Sequence, residues 1–473
     1  MRKTLIITAL ALLSLQAAAG SYVPREGEVK FTILQTSGKQ PLHEVKSTPF
    51  TIHPYPMLRA IDLDAEHPSH KYFGCGISMT DASCWLLSQM DPESRRELLK
   101  KAFNPYGAEE GGVNFSIIRL NCGASDYATE LYNYDDTPGD VAMKDFSIDR
   151  DRLYMIPMLK EVLTQREDMY VFSSIWSAPG WMKSSGTMCG GSLLDEHLPS
   201  FANYWAAYLK AYRDAGIGID AITVQNEPLT DQHGGCPATL ISASQEAQLV
   251  GRYLPESFRK AGVKADVWIH DHNYKQYQRV LDILGDKAAR KHTAAVAWHP
   301  YSGEAKQIEA VRREYPDMPF HLTERGGTLS KKSTQTAKWF CGLIFGALNA
   351  GCSSYCAWNL LLDEDGQPNT GRFDCMGLVE RDNASGKLSY STQWQVFRQF
   401  SPYVKRGAEI LEIESPDPGL TTIVFRNPDG RHVIVVAAEG SNTRQRVQIK
   451  YRDKYMALCL PISTWSMSTI LID

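Results

Sequence analysis

The sequence predicts an α/β protein: a (β/α)8 TIM barrel with a small antiparallel β-sandwich attached. Eight apolar, strand-like runs alternate with helical patterns over about 320 residues, the content of a barrel somewhat enlarged by loops. No glycine-rich GxGxxG turn follows the first run, which argues against an open doubly wound sheet. The chain finishes in short alternating runs broken by turn signals, as a separate β domain does.

Taken in order, residues 1–20 (MRKTLIITALALLSLQAAAG) combine Arg2 and Lys3 with a short apolar run and the small residues Ala17 to Ala19. That is the pattern of an export signal, and the run is short for a membrane anchor. No cysteine stands at the cleavage region, so a lipid anchor is not expected, and the mature chain is expected in the periplasm or outside the cell. Residues 21–66 are rich in strands and loops and are expected to join the terminal β domain.

The barrel is expected over 67–400. Its strands are KYFGCGISM (71–79), FSIIRLN (115–121), YVFSSIW (170–176), AITVQNE (221–227), DVWIHDHN (266–273), AAVAWHPY (294–301), PFHLTE (319–324) and SSYCAWN (353–359). Between them lie helices such as DPESRRELLKKAF, with Asp91 as N-cap and Pro92 at the first helical position. Another is FANYWAAYLKAYRDAG, whose Phe201, Tyr204, Trp205, Tyr208, Leu209 and Tyr212 form one apolar face and whose Gly216 ends it. Residues 401–473 hold TTIVFRN, HVIVVAAE, RVQIKY and STILI, with turns at NPDG and EGSN.

Composition narrows the function. The 473 residues are 43% hydrophobic and 22% charged, and the net charge of −4 lacks the basic excess of a nucleic-acid binder. The ten cysteines are scattered, with no CxxC pair or metal spacing; Cys189 and Cys236, both in glycine-containing loops, are the one disulfide expectation. No metal or other cofactor is expected: HExxH is absent, and LLDEDGQPN (361–369) lacks EF-hand spacing.

The strand ends carry the chemistry. In a barrel the site lies at the C-terminal ends of the strands. Here those ends present Asp81, Arg119, Trp176, Asn226-Glu227, Asp271-His272-Asn273, His299 with Tyr301, Glu324-Arg325 and Trp358-Asn359. A single polar strand end is usually just solvated, but eight in succession converge on one rim. Glu227 and Glu324, ending strands four and seven, face each other across a closed barrel. Two carboxylates flanking a substrate are what glycoside hydrolysis needs. Trp176, Trp181 and Trp358 suit the apolar face of a sugar ring, and Asp81, Asn226 and Asn369 suit its hydroxyls. The expected partner is therefore a glycan or glycoside.

These motifs resemble glycoside hydrolase family 30, which includes glucosylceramidases and β-1,6-glucanases. GCGISMTDAS (74–83) resembles the family's GFGGAxTDAA, and FSIIRLNCGASDYATELYNYDDTPGD (115–140) its second-strand segment. IWSAPGWMKSSGTMCGGSL (175–193) resembles SPWSPPxWMKTNGxxxGGSL, and AWNLLLDEDGQPN (357–369) resembles WNLALDExGGPN. ITVQNEP resembles the acid/base strand and HLTERGG (321–327) the nucleophile strand. Departures fall at Cys75, Ile77, Gly180 and Arg325-Gly326-Gly327 and bear on subsites beyond the first sugar.

The resemblance implies a retaining mechanism, with Glu227 as general acid/base at a raised pKa and Glu324 as ionised nucleophile. It implies that Asn226 holds the sugar 2-hydroxyl and that Arg119, Tyr301 and His299 orient or stabilise the nucleophile. Asp81, Trp176 and Trp358 would line the nonreducing-end sugar site, with Asn369 entering from the last loop. Within the class, β-1,6-glucan ranks first on the Asp271-His272-Asn273 triplet, then glucosylceramide-type β-glucosides, then xylosides. Outside it stands a catalytically inactive glycan-binding protein.

Overall fold

The eight barrel strands are β1 (Gly74–Ser78), β2 (Ile117–Cys122), β3 (Tyr170–Ile175), β4 (Ala221–Thr223), β5 (Asp266–Asn273), β6 (Ala295–His299), β7 (Phe320–Leu322) and β8 (Cys352–Ala357). They pair in parallel in chain order, and β8 closes the ring on β1. This computed structural model describes residues 31–37, 40–45, 50–51, 60–64, 68–108, 110–413, 419–439, 444–461 and 465–473. The expected export signal at 1–20 lies outside them.

The strands are buried on both faces, as parallel strands sheathed by helices must be. The helix Pro92–Phe103 starts as its sequence requires, with the Asp91 carboxylate accepting from the Glu93 and Ser94 amides. The aromatic stripe of Leu198–Asp214 is core: Phe201, Tyr204, Trp205, Tyr208, Leu209 and Tyr212 are all buried.

Inside the barrel, the two-residue period of the strands stacks layers. Ile117, Phe172, Ala221, Trp268, Ala295 and Ala297 join in an apolar floor. Two residues further along, Arg119, Ser174, Thr223 and His299 make a polar layer above it. On β5 the period breaks. The register against β6 shifts between Ile269 and His272, and His270 and Asp271 take left-handed φ values of 79° and 43°. This bulge hands the inward place above Trp268 to Asp271 rather than His270.

Of the remaining strands, most form two larger sheets, and short strands after β7 and β8 form a two-stranded and a three-stranded one. A seven-stranded sheet runs in the order 40–44, 31–37, 465–472, 432–439, 420–426, 409–411 and 68–71. A four-stranded sheet runs in the order 50–51, 454–461, 444–451 and 61–62. The larger sheet has two apolar faces. Val424, Ile434, Val436 and Ile470 meet Val447, Ile449 and Leu458 of the smaller sheet. The alternate residues Ile423, Phe425, Val433 and Val435 pack with the barrel's helical core.

Among the described residues no helix is long and apolar enough to cross a membrane. The expected Cys189–Cys236 disulfide is absent: all ten cysteines are free. Cys189 stands opposite Pro237 in an isolated antiparallel bridge. Cys236 is one residue out of register, and a one-residue offset turns its side chain to the other face.

Candidate active site

Arg119 is the hub of the polar layer. Burial by itself would depress a guanidinium, but the carboxylates of Asp271 and Glu324 keep its pKa raised. It donates to Asp271 at 2.8 Å, to the side-chain Oδ1 of Asn226 at 2.8 Å, to Ser174 at 3.0 Å and to Glu324. Asp271 also accepts from Thr223 and Thr323, each at 2.6 Å, and from Ser174 at 3.1 Å. Burial would raise its carboxyl; Arg119 and His299 hold it well below the usual range instead. The buried charges are thus paired and hydrogen-bonded, which is the condition for keeping them.

The β4 strand ends early, at Thr223, and its polar continuation has a structural cause. Asn226 and Glu227 are tied by backbone bonds to Ile175 on one side and Asp271 on the other. Glu227 has a φ of 46°. The turn swings its carboxylate over the barrel mouth, where Oε1 meets His299 Nδ1 at 3.1 Å and Oε2 accepts from Gln232 at 3.2 Å. His272 Nδ1 lies 3.8 Å from Oε1. Burial would raise this carboxyl, yet the hydrogen bonds and charges of His272 and His299 lower it below the ordinary carboxylate range. The expected raised pKa is therefore corrected.

The missing proton sits on His299. Burial would lower the imidazole, but Glu324, Asp271 and Glu227 together push it up to about 10. With both nitrogens protonated it donates to Glu227 and, at 2.9 Å, to Asp271. Glu324 differs in its partners: Tyr301 donates to it at 2.8 Å, and Arg119 donates to its other oxygen.

Above the two carboxylates opens a cavity of about 350 Å³ lined by Asp126, Trp176, Asn226, Glu227, His272, Tyr301, Glu324, Trp358 and Phe373. Trp176 and Trp358 stack at 5.2 Å between ring centroids, with the Arg119 guanidinium 4.8 Å from the Trp176 ring. The indoles form an apolar wall opposite the acids. The Asn226 side-chain nitrogen has no hydrogen-bond partner among the described residues.

The structure thus brings Glu227, Glu324, Trp176, Asn226, Tyr301 and Trp358 to one cavity. Arg119 and His299 lie beneath it, fully buried, and act on it through the residues that line it: His299 through Glu227, Arg119 through Glu324 and Asn226. Three expectations are corrected. Asp81 is sealed off, accepting from the Thr129 amide at 2.8 Å and Tyr154 at 2.8 Å and pairing with Arg150 at 3.0 Å. Asn369 is spent on its own loop, donating to the Phe373 carbonyl and accepting from the Gly371 amide. Trp181 donates to the Asp135 carbonyl, away from the cavity.

Sequence reasoning passed over Asp126. It sits just beyond β2 in GASDY, a segment without charge clustering or periodicity to mark it. Its side chain lines the cavity, and one carboxyl oxygen is buried with no partner among the described residues. Burial, then the nearby Glu324 and Glu227, push its pKa well up. A protonated or ligand-bonded carboxyl here would complete a ring of hydroxyl-binding groups.

A model of the glycosyl hydrolase family 30 TIM-barrel domain matches residues 72–375. An endo-1,6-β-D-glucanase of Aspergillus fumigatus is 28% identical over 438 residues, spanning 86% of this chain and 87% of the relative. Lysosomal acid glucosylceramidase of Mus musculus is 25% identical over 403 residues, spanning 80% and 77% respectively. A solved endo-β1,6-glucanase superposes with a TM-score of 0.82 at 24% identity, over 93% of this chain and 98% of that one, a likeness of fold.

Proposed function

The chain belongs to glycosyl hydrolase family 30 and is a glycoside hydrolase, and from that premise we propose that it cleaves β-1,6-glucan with retention, using Glu324 as nucleophile and Glu227 as acid/base. The observation that carries the assignment is the asymmetry between the two glutamates. Glu324 is gripped by a guanidinium and a phenol, both donors, which hold a carboxylate in one orientation. Glu227 instead shares a proton with His299.

In the first step a Glu324 oxygen attacks the anomeric carbon and the bond to the leaving oxygen breaks. That oxygen takes the proton held by the Glu227–His299 pair, delivered through Glu227. In the second step Glu227 removes a proton from water, the water oxygen attacks the same carbon, and the Glu324 carboxylate is released. Trp176 and Trp358 support the sugar face, while Asn226 and Asp126 take its hydroxyls. Arg119 and Asp271 position the machinery without touching sugar.

The glucan assignment is supported by the relatives named as endo-1,6-β-D-glucanases. The glucosylceramidase relatives support the second reading, a β-glucoside with a lipid aglycone. The residue 1–20 pattern supports export to the periplasm or beyond. Digestion of a β-1,6-linked glucan by the mature protein tests the whole. Release of β-1,6-linked oligosaccharides, reduced at least about a thousandfold in Glu324→Gln, is the expected outcome. Mutant-sensitive cleavage of other β-glucosides alone would keep the mechanism and overturn the substrate.

A further inference from the structure

We propose that a second groove, on the outer side of the loops that wall the active-site cavity, is an accessory binding site for a run of glucose units of the same polymer; this rests on the glucan reading above. The groove has a volume of about 700 Å³ and is lined by Trp85, Gln89, Gln367, Pro368, Arg381 and Asn383, with Asp363 at its base. Trp85 and Gln89 come from the helix Asp81–Ser88 and its C-terminal end. Arg381 and Asp363 stand side by side on the paired strands Val379–Arg381 and Leu361–Asp363.

Three donors on this surface are unspent. Among the described residues, the Arg381 guanidinium makes no ion pair or hydrogen bond, and neither the Gln367 side-chain amide nor the Trp85 indole N–H has a partner. Asp363 is occupied by the Asp365 and Gln367 amides, at 3.0 and 2.7 Å, and by the Asn383 side chain at 2.9 Å. An indole face beside amides and one guanidinium matches a neutral, hydroxylated ring: the ring packs on the indole, and its hydroxyls accept from the free donors. A phosphate or carboxylate ligand fits poorly, because a single cation sits directly beside Asp363.

Position ties the groove to the substrate. Thr129 of the groove is three residues from Asp126 of the cavity, and Pro368 is five from Phe373. The same two stretches of chain, 126–129 and 368–373, thus supply lining residues to both sites.

Native gels cast with soluble β-1,6-glucan test the proposal, using the Glu324→Gln protein so that the polymer survives. Arg381→Ala and Gln367→Ala are the variants; Trp85 packs partly against the core, so it is left intact. The expected result is retardation of Glu324→Gln, weakened about tenfold in polymer affinity by adding Arg381→Ala, the loss of one charged hydrogen-bond donor. In the otherwise wild-type enzyme, Arg381→Ala leaves hydrolysis of an aryl β-glucoside unchanged. Equal retardation with and without both groove substitutions overturns the accessory site, as does no retardation of any variant. Digestion of the glucan by wild type with equal retardation keeps the catalytic reading and discards the groove. Retardation that depends on Arg381, in a protein that digests no β-1,6-glucan, keeps the groove and discards the catalytic reading.

Discussion

Trp268 and Asp271 lie on one strand and face one barrel interior, yet they belong to regions built on opposite rules. Trp268 stacks on Tyr170 and His321 in a floor that needs only apolar volume. Asp271 sits in a layer where each group depends on the charge or hydrogen bond of another. The floor tolerates shape-preserving change; the layer above it requires each partner in place.

The largest effect should follow from Asp271→Asn. It leaves Arg119 and His299 without their shared anion and costs about 3–5 kcal/mol, the usual result of removing one partner from a buried ion cluster. Denaturant unfolding should show that loss, together with a collapse of hydrolysis in the molecules still folded. Trp268→Ala should cost a similar 3–5 kcal/mol by leaving a cavity, about the range for a large aromatic. Its folded fraction should hydrolyse substrate at the wild-type rate. If kcat/KM per folded molecule falls in both, floor and mouth are not separable.

Tyr301→Phe should act more gently. It removes one of the two donors to Glu324 and should lower kcat about tenfold, the worth of one hydrogen bond to a charged group, with little change in melting temperature. A further effect is set by pH. The His299 pKa is about 10 when folded against an ordinary 6.5, because the surrounding carboxylates outweigh its burial. Its contribution to stability is therefore full below pH 6.5 and is lost as pH rises through about 10. A melting temperature that falls across that window in wild type, and is flatter in His299→Gln, is the expected pattern. The alkaline limb of kcat should fall with it, because the acid's proton leaves the same pair.

Much of this arrangement was legible in the sequence. The eight strands announced themselves as apolar runs because parallel strands are buried on both faces. The polar residues at their ends marked the mouth. Which of those residues reach the cavity was not legible, because reach depends on the turn that follows each strand. Asp81 begins a helix and is turned toward Thr129, Arg150 and Tyr154; Asn369 closes its own loop. The bulge that promotes Asp271 over His270 leaves no compositional trace in DVWIHDHN. The lowered pKa of Glu227 was equally hidden: its two histidines arrive from β5 and β6, more than forty residues along the chain.

The seven-stranded sheet also puts the fold on a clock. Phe31–Ser37 pairs with Trp465–Ile472, and Gln35 bonds Ser468 across 433 residues of sequence. At about 5–20 residues per second of synthesis, the first strand waits tens of seconds for its partner to exist. The barrel strands are all made within that interval, while an apolar strand near the start of the chain stays unpaired on this edge. The last strand synthesised is the one that ends the exposure.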